Sequence, residues 1–255
     1  MTIFTDKPAI VAELRSSQLA LISDSYFDAS KLSNDYIYDK LLAAESELEH
    51  KLRVFLEPTV VLPDSTTQAD IDALEADNKR YVIDAGYDYD PEFFTGESWG
   101  FLSTRHKPII SVESMYFVYP APQQAMYTIP ASWIRLDRKY GHIRLVPAAQ
   151  SFSAPLSAFM MQAMGGGRTI PFMIHVRYTA GIRNVRQEYP EAVSLIKRMC
   201  VLGLLKDAMI PQSGSISADG LSQSMSADIG KMSDVIEQSI ENLRDTIVGI
   251  RMMVL

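Results

Sequence analysis

A strand, a tight turn and the most apolar helix of the chain follow one another between Met173 and Met209, and that run limits what the rest can do. Met173-Ile174-His175-Val176-Arg177-Tyr178 alternates, offering Ile174, Val176 and Tyr178 to one face of a sheet. Thr179-Ala180-Gly181 breaks the alternation where a chain leaving a sheet must turn. Tyr189-Pro190-Glu191 then opens a helix over 189–210. Proline suits a first helical turn because its missing N–H would be unpaired there anyway, and Glu191 complements the positive end of the helix dipole. Val193, Ile196, Cys200, Leu204 and Ala208 form one stripe, with Leu195, Met199, Leu202 and Leu205 beside it, until Pro211. So wide a stripe predicts burial over most of the helix circumference. The run reads as a packing module with no chemistry of its own.

Two further helices are expected upstream. Residues 6–22 carry Pro8 in a first turn and then Ile10, Leu14, Ala20 and Leu21. Residues 35–56 place Ile37, Leu41, Leu48, Leu52 and Phe55 on one face, with Glu45, Glu47, Glu49 and Lys51 off it. Ser33 or Asn34 is the candidate N-cap, and Pro58 the expected stop. Thr59–Leu62 is a short β run, and Ser65 or Thr66 is expected to cap a brief helix holding Ile71 and Leu74. Between Tyr81 and Phe94, aromatic and acidic residues interleave in what reads as a solvated loop. Asp88-Tyr89-Asp90 has the spacing of a calcium loop but lacks its glycine and closing glutamate.

The region about 98–180 is β-rich. Ile109–Tyr119 is apolar on both faces near its end, which predicts cover on both sides. Trp133–Leu136 and His142–Val146 alternate about a polar Asp137–Gly141 turn, a hairpin with one wet face. Ser151–Gly167 interrupts the sheet with a short helix, whose Phe159, Met160, Met161 and Met164 either fold back on the sheet or project to a partner. Residues 211–224 are linker-like, and 225–255 form a helical tail striped by Ile229, Met232, Ile236, Ile240, Leu243, Ile247, Ile250 and Val254. Such a helix needs a surface to lie on, its own core or another subunit, and assembly is the preferred use. The expected architecture is α+β: a bundle of 6–22, 35–56 and 189–210, an inserted antiparallel β domain and a C-terminal helical tail, with 1–210 as core.

The search for chemistry returns little. Gly165-Gly166-Gly167 is not followed by the Gly-Lys-Ser/Thr of a phosphate loop, and no serine sits in a Gly-x-Ser-x-Gly elbow. His50, His106, His142 and His175 are far apart in sequence, without metal-ligand spacing. Cys200, the single cysteine, lies on an apolar stripe, where an inert thiol is expected. With 24 basic against 31 acidic residues, a net charge of −7 argues against general nucleic-acid binding. No run reaches the length of a membrane span, and Asp6 and Lys7 interrupt the apolar core that an export signal would need. No catalytic, cofactor-binding or metal-binding residue is assigned, and no enzyme is expected.

Two short motifs carry a resemblance. Lys107-Pro108-Ile109-Ile110-Ser111-Val112-Glu113-Ser114 is similar to the run that enters the sheet in head-tail connector (adaptor, head-completion) proteins of tailed bacteriophages. Tyr178-Thr179-Ala180-Gly181, followed by Pro190 and a long helix, is the second. In order and spacing the chain resembles that family over about residues 33–210, with 59–94 and 151–167 as extras. The resemblance implies a structural virion protein at the head-tail junction, assembled in the host cytoplasm without a cofactor. It would form a ring of twelve copies on the portal protein, extend the DNA channel without reading sequence, stay off membranes and present a platform to the next neck or tail protein. Another neck or tail-completion component, and a cytoplasmic enzyme or ligand-binding domain on the β core, are the alternatives.

Overall fold

A computed structural model describes residues 2–20, 31–93, 100–120, 123–146, 169–208 and 221–249. The chain divides into two compact units. One is helical, Thr2–Arg53 with Asn184–Gly249, and the other is β-rich, Val54–Arg183. The architecture is α+β, with a mainly antiparallel β region inserted between helices.

In the helical unit, α1 (Lys7–Leu14) is capped by Asp6, whose carboxylate accepts the Ala9 N–H at 3.1 Å. It continues into a π-helical turn, Arg15–Leu19. Helix α2 (Asn34–Leu52) begins at the Ser33 cap, whose Oγ accepts the Tyr36 N–H at 3.1 Å. It ends earlier than expected, because Arg53 turns into the left-handed region at φ 56° before Pro58 is reached. Phe55 is therefore off the helix and packs in the β unit instead. Ile37, Leu41, Leu48 and Leu52 are buried as expected, but so is Glu45. Its carboxylate accepts the Ile3 N–H at 3.0 Å and the Thr2 hydroxyl, so the N-terminal strand of backbone pays its desolvation.

A single turn, α4 (Val185–Glu188), precedes α5 (Pro190–Ala208). Ala192, Leu195, Ile196, Met199, Cys200, Leu202, Leu204 and Leu205 of α5 are buried, whereas Ala208 is exposed, so the expected stripe ends one turn sooner. Helix α6 (Leu221–Ile247) begins inside the segment read as linker and packs on α5 and α2. Ile236, Ile240, Leu243 and Ile247 are all buried within this unit. At about 1.5–3 kcal/mol for each fully buried side chain, four such residues dock the helix firmly on its own core.

In the β unit, β1 (Thr59–Pro63), α3 (Gln68–Ala76) and β2 (Tyr81–Asp84) form a parallel crossover. Thr67, rather than Ser65 or Thr66, caps α3, its Oγ accepting the Asp70 N–H at 3.3 Å. Ile71, Leu74 and Tyr81 pack with Val60 and Leu62. The stretch read as an acidic loop is instead partly strand, β2 followed by β3 (Tyr87–Tyr89). Next come β4 (Phe101–Ser103), β5 (Ile109–Pro120), β6 (Gln123–Thr128), β7 (Ile134–Asp137), β8 (His142–Leu145) and β9 (Ile170–Ala180). The main sheet runs β2-β1-β9-β5-β6, with β3 also on β9; β4-β8-β7 make a second sheet.

Strand β9 is the axis of the main sheet. Met173, Ile174, His175, Val176 and Tyr178 are all buried, so it is covered on both faces rather than one. Leu102, Ile143 and Leu145 of the second sheet share one core with Met115, Phe117, Met173 and Val176 of the first. The β7–β8 hairpin forms as expected, with Ile143 and Leu145 inside and Arg144 outside.

Candidate functional site

The two sequence motifs, some 70 residues apart, lie side by side. Strands β5 and β9 run antiparallel, with Ile109 opposite Ala180, Ser111 opposite Thr179 and Val112 opposite Tyr178. The Gly181 N–H donates to Pro108 O at 2.9 Å, and the Ile182 N–H to Phe55 O at 3.1 Å. Gly181 has φ 114°, and a Cβ there would stand 2.4 Å from Glu57 O and 2.9 Å from Phe55 O. No other residue type fits that corner without moving backbone.

Polar side chains from both motifs meet on the sheet face. Glu113 accepts the Thr179 hydroxyl at 2.7 Å and Arg177 Nε at 3.2 Å, and Arg177 also lies 3.7 Å from Asp70. With Pro58, Val60, Leu74, Lys79 and Ser114, the Glu113, Arg177 and Thr179 side chains line a shallow cleft of about 570 Å³. Its apolar floor and paired charges suit a protein contact and provide no unpaired acid or base for chemistry.

Two tyrosine hydroxyls tie β2, β3 and β9 to the loop that follows β4. Tyr87 donates to Asp84 Oδ2 at 3.2 Å and accepts the Arg105 N–H at 3.1 Å. Tyr178 lies 3.0 Å from the Tyr87 oxygen and accepts the His106 N–H at 3.3 Å. Since a carboxylate only accepts, the order of donation runs Tyr178 to Tyr87 to Asp84. Burial pushes both phenols above their usual range. His106, stacked on Phe55 at 4.9 Å between ring centres, is held below the usual imidazole range, chiefly by burial, with Asp84 opposing and Arg105 adding to the effect.

One constellation escaped the sequence reading. His175, 1% exposed, donates from Nε2 to Phe172 O at 3.1 Å, since a carbonyl can only accept. In the neutral ring that leaves Nδ1 with its lone pair, and Ser65 Oγ lies 2.8 Å from it, placed to donate. Tyr116 OH is 3.1 Å from the same Oγ, and Asp64 Oδ1 is 3.7 Å from Nδ1. The strand bulges to make this possible: Tyr87 pairs with Ile174 and Tyr89 with Ile170, leaving extra β9 residues between them. Phe172 there adopts φ 54°, and its N–H donates to Asp88 Oδ1 at 3.0 Å. Gly86 lets the backbone approach, since a Cβ would stand 2.6 Å from Phe172 O and 2.9 Å from the His175 ring. The alternation of β9 placed His175 on the face opposite Ile174, Val176 and Tyr178 and gave no sign of its burial, and its partner lies 110 residues away.

Of the candidate interface residues, Ile236, Ile240, Leu243 and Ile247 face the helical unit's own interior. Ile229 and Met232 are partly exposed, and Val235 is 56% exposed. Ile250, Val254 and the segment with Phe159, Met160, Met161 and Met164 lie outside the described residues. Cys200 donates weakly to Ile37 O at 3.8 Å, and burial pushes its thiol up to about 12, consistent with the inert role expected. Among the described residues no group of His, Cys, Asp and Glu could hold a metal ion, and no helix is long and apolar enough to cross a membrane.

No protein-family description and no curated protein matches the chain. Among solved structures, a similar chain belongs to the neck of an empty GTA particle computed with C6 symmetry. The two are 13% identical with a TM-score of 0.37, over 96% of this chain and 91% of that one. At that TM-score the likeness decides neither fold nor function.

Proposed function

We propose that the protein is a structural head-to-tail connector of a phage-like particle, which binds the portal as a ring, prolongs the DNA channel and offers a platform to the next neck or tail protein. The observation that supports this reading is the pairing of its two resemblance motifs. Lys107–Ser114 and Tyr178–Gly181 are neighbours in one sheet, paired antiparallel with irregularities between Ile109 and Ser111 and between Val112 and Ser114, and bonded through Pro108 and Gly181. Two short motifs found apart in sequence gain weight when they build a single corner. Pro190 and the long helix α5 follow that corner in sequence, the order in which they follow the motif in the family the chain resembles.

The partner surfaces follow from what is left uncovered. The buried half of α6 is spent on its own unit, so contact with the portal or a neighbouring copy falls to its first half, Ile229, Met232 and Val235. An excess of seven acidic charges suits a lumen wall that repels phosphates and lets a genome slide. Native mass measurement of the protein alone, and mixed with portal rings, tests the reading. A monomer alone and about twelve copies on the portal are expected. No association with portal, in protein whose circular dichroism is folded, would overturn it, and binding only to tail-side proteins would move the chain to another neck or tail position.

A further inference from the structure

We propose that Ser65 is a nucleophile with His175 Nδ1 as its general base, able to accept the acyl group of an activated ester. The inference is independent of the connector reading. It rests on the direction of three hydrogen bonds around one partly exposed hydroxyl at the end of β1.

Three hydroxyls follow one another at this turn, and their uses differ. Thr66 Oγ1 donates to Pro63 O at 2.6 Å, and Thr67 Oγ1 to Asp70 Oδ2 at 2.7 Å. Both are spent on local turn and cap geometry. Ser65 alone points its proton at a nitrogen base. The base is itself oriented, because its other nitrogen donates to the Phe172 carbonyl, which the bulge and its Asp88 contact hold in place. A nucleophile, a base and a group that fixes the base's tautomer are the three parts an activated serine needs. Tyr116 OH, 3.1 Å from Oγ, is a donor within reach of the negative charge that develops on an attacked carbonyl oxygen.

The step balances without any outside redox partner. Oγ forms a bond to the acyl carbon as its proton passes to His175 Nδ1, and the carbonyl electron pair moves onto oxygen. Collapse of that intermediate breaks the bond to the leaving alcohol, which takes the proton from His175. Water, giving its proton to the same nitrogen, then attacks the acyl carbon; the acyl–Oγ bond breaks as Nδ1 returns that proton to Oγ, releasing the acid and restoring Ser65 and the neutral imidazole.

The test uses the full chain with a fluorophosphonate probe, mapped by peptide mass, and with p-nitrophenyl acetate as the turnover substrate. A single phosphonyl adduct on Ser65 and release of p-nitrophenol are expected, both lost in Ser65→Ala. His175→Gln should slow labelling about 100-fold, in line with removal of a general base. No adduct on folded wild-type protein, or an adduct that survives Ser65→Ala, overturns the proposal. Labelling of a folded His175→Gln variant at the wild-type rate overturns the role of the base. Should that variant fail to fold, comparison of wild type with Ser65→Ala still decides. Ser65→Ala should join portal rings like wild type, so failure of either proposal leaves the other standing.

Discussion

Gly181→Ala is the sharpest test of the corner where the two motifs meet. An alanine held at φ 114° sits outside the regions open to L-residues, which costs about 1–2 kcal/mol. Its Cβ would also stand 2.4 Å from Glu57 O and 2.9 Å from Phe55 O, both backbone atoms, so relief requires the chain to move. Movement there weakens the bonds from Gly181 to Pro108 and from Ile182 to Phe55, each contributing about 1 kcal/mol. Together these terms reach about 3–4 kcal/mol. With a urea m-value of about 2 kcal/mol per molar, the midpoint of unfolding should fall by about 1.5–2 M. Tryptophan fluorescence is the assay, because Trp99 and Trp133 both fall between residues 54 and 183. Gly203→Ala supplies a control of opposite sign. Gly203 lies within α5 with nothing inside 4 Å of the added methyl, so alanine should stabilise the helical unit by about 1 kcal/mol, read by far-ultraviolet circular dichroism. A Gly181→Ala midpoint within about 0.3 M of wild type would refute the claim that the corner demands glycine.

Two further outcomes are expected. Tyr178→Phe removes one of three hydrogen bonds at the Tyr87 oxygen and leaves the His106 N–H without its acceptor, and should cost about 1–3 kcal/mol by urea titration; a midpoint equal to that of wild type would contradict this. His106 has a folded pKa below its unfolded value, so the folded state binds fewer protons. Its stabilising contribution is complete above pH of about 6.5 and is lost as pH falls toward the folded value. Melting temperature should therefore drop more between pH 7.5 and 5.5 in wild type than in His106→Gln, and equal drops would contradict this.

What the sequence disclosed depended on whether the cause was local. The cap of α2, read as Ser33 or Asn34, and its periodic face from Ile37 to Leu52 are local facts and were readable, as was the β7–β8 hairpin. The end of α2 was misplaced because Arg53 takes the left-handed conformation without the glycine or asparagine that usually announces it. Glu45 looked solvent-facing, since its burial depends on Thr2 and Ile3, more than 40 residues upstream. Tyr81–Phe94 read as a loop because acidic residues mask a short alternation that only pairing with β1 and β9 makes useful. The motifs were visible singly, and their contact was not. Ser65 and His175 could not have been joined from spacing alone, because the bulge beside His175 is a property of the pairing of β3 with β9.

The hydrogen bond between Ile182 and Phe55 has a consequence for how the chain folds. It pins the entrance and exit of the β-rich insertion to each other, so a detour of about 130 residues begins and ends at almost the same point. Closing so long a loop costs about 4 kcal/mol of chain entropy, against about 1 kcal/mol for a connection of a few residues. If the insertion folds first, α2 and α5 meet as though joined by a short turn. The β unit then acts as a clasp on the helices' unfolded chain, and any variant that delays it will slow assembly of the helical unit.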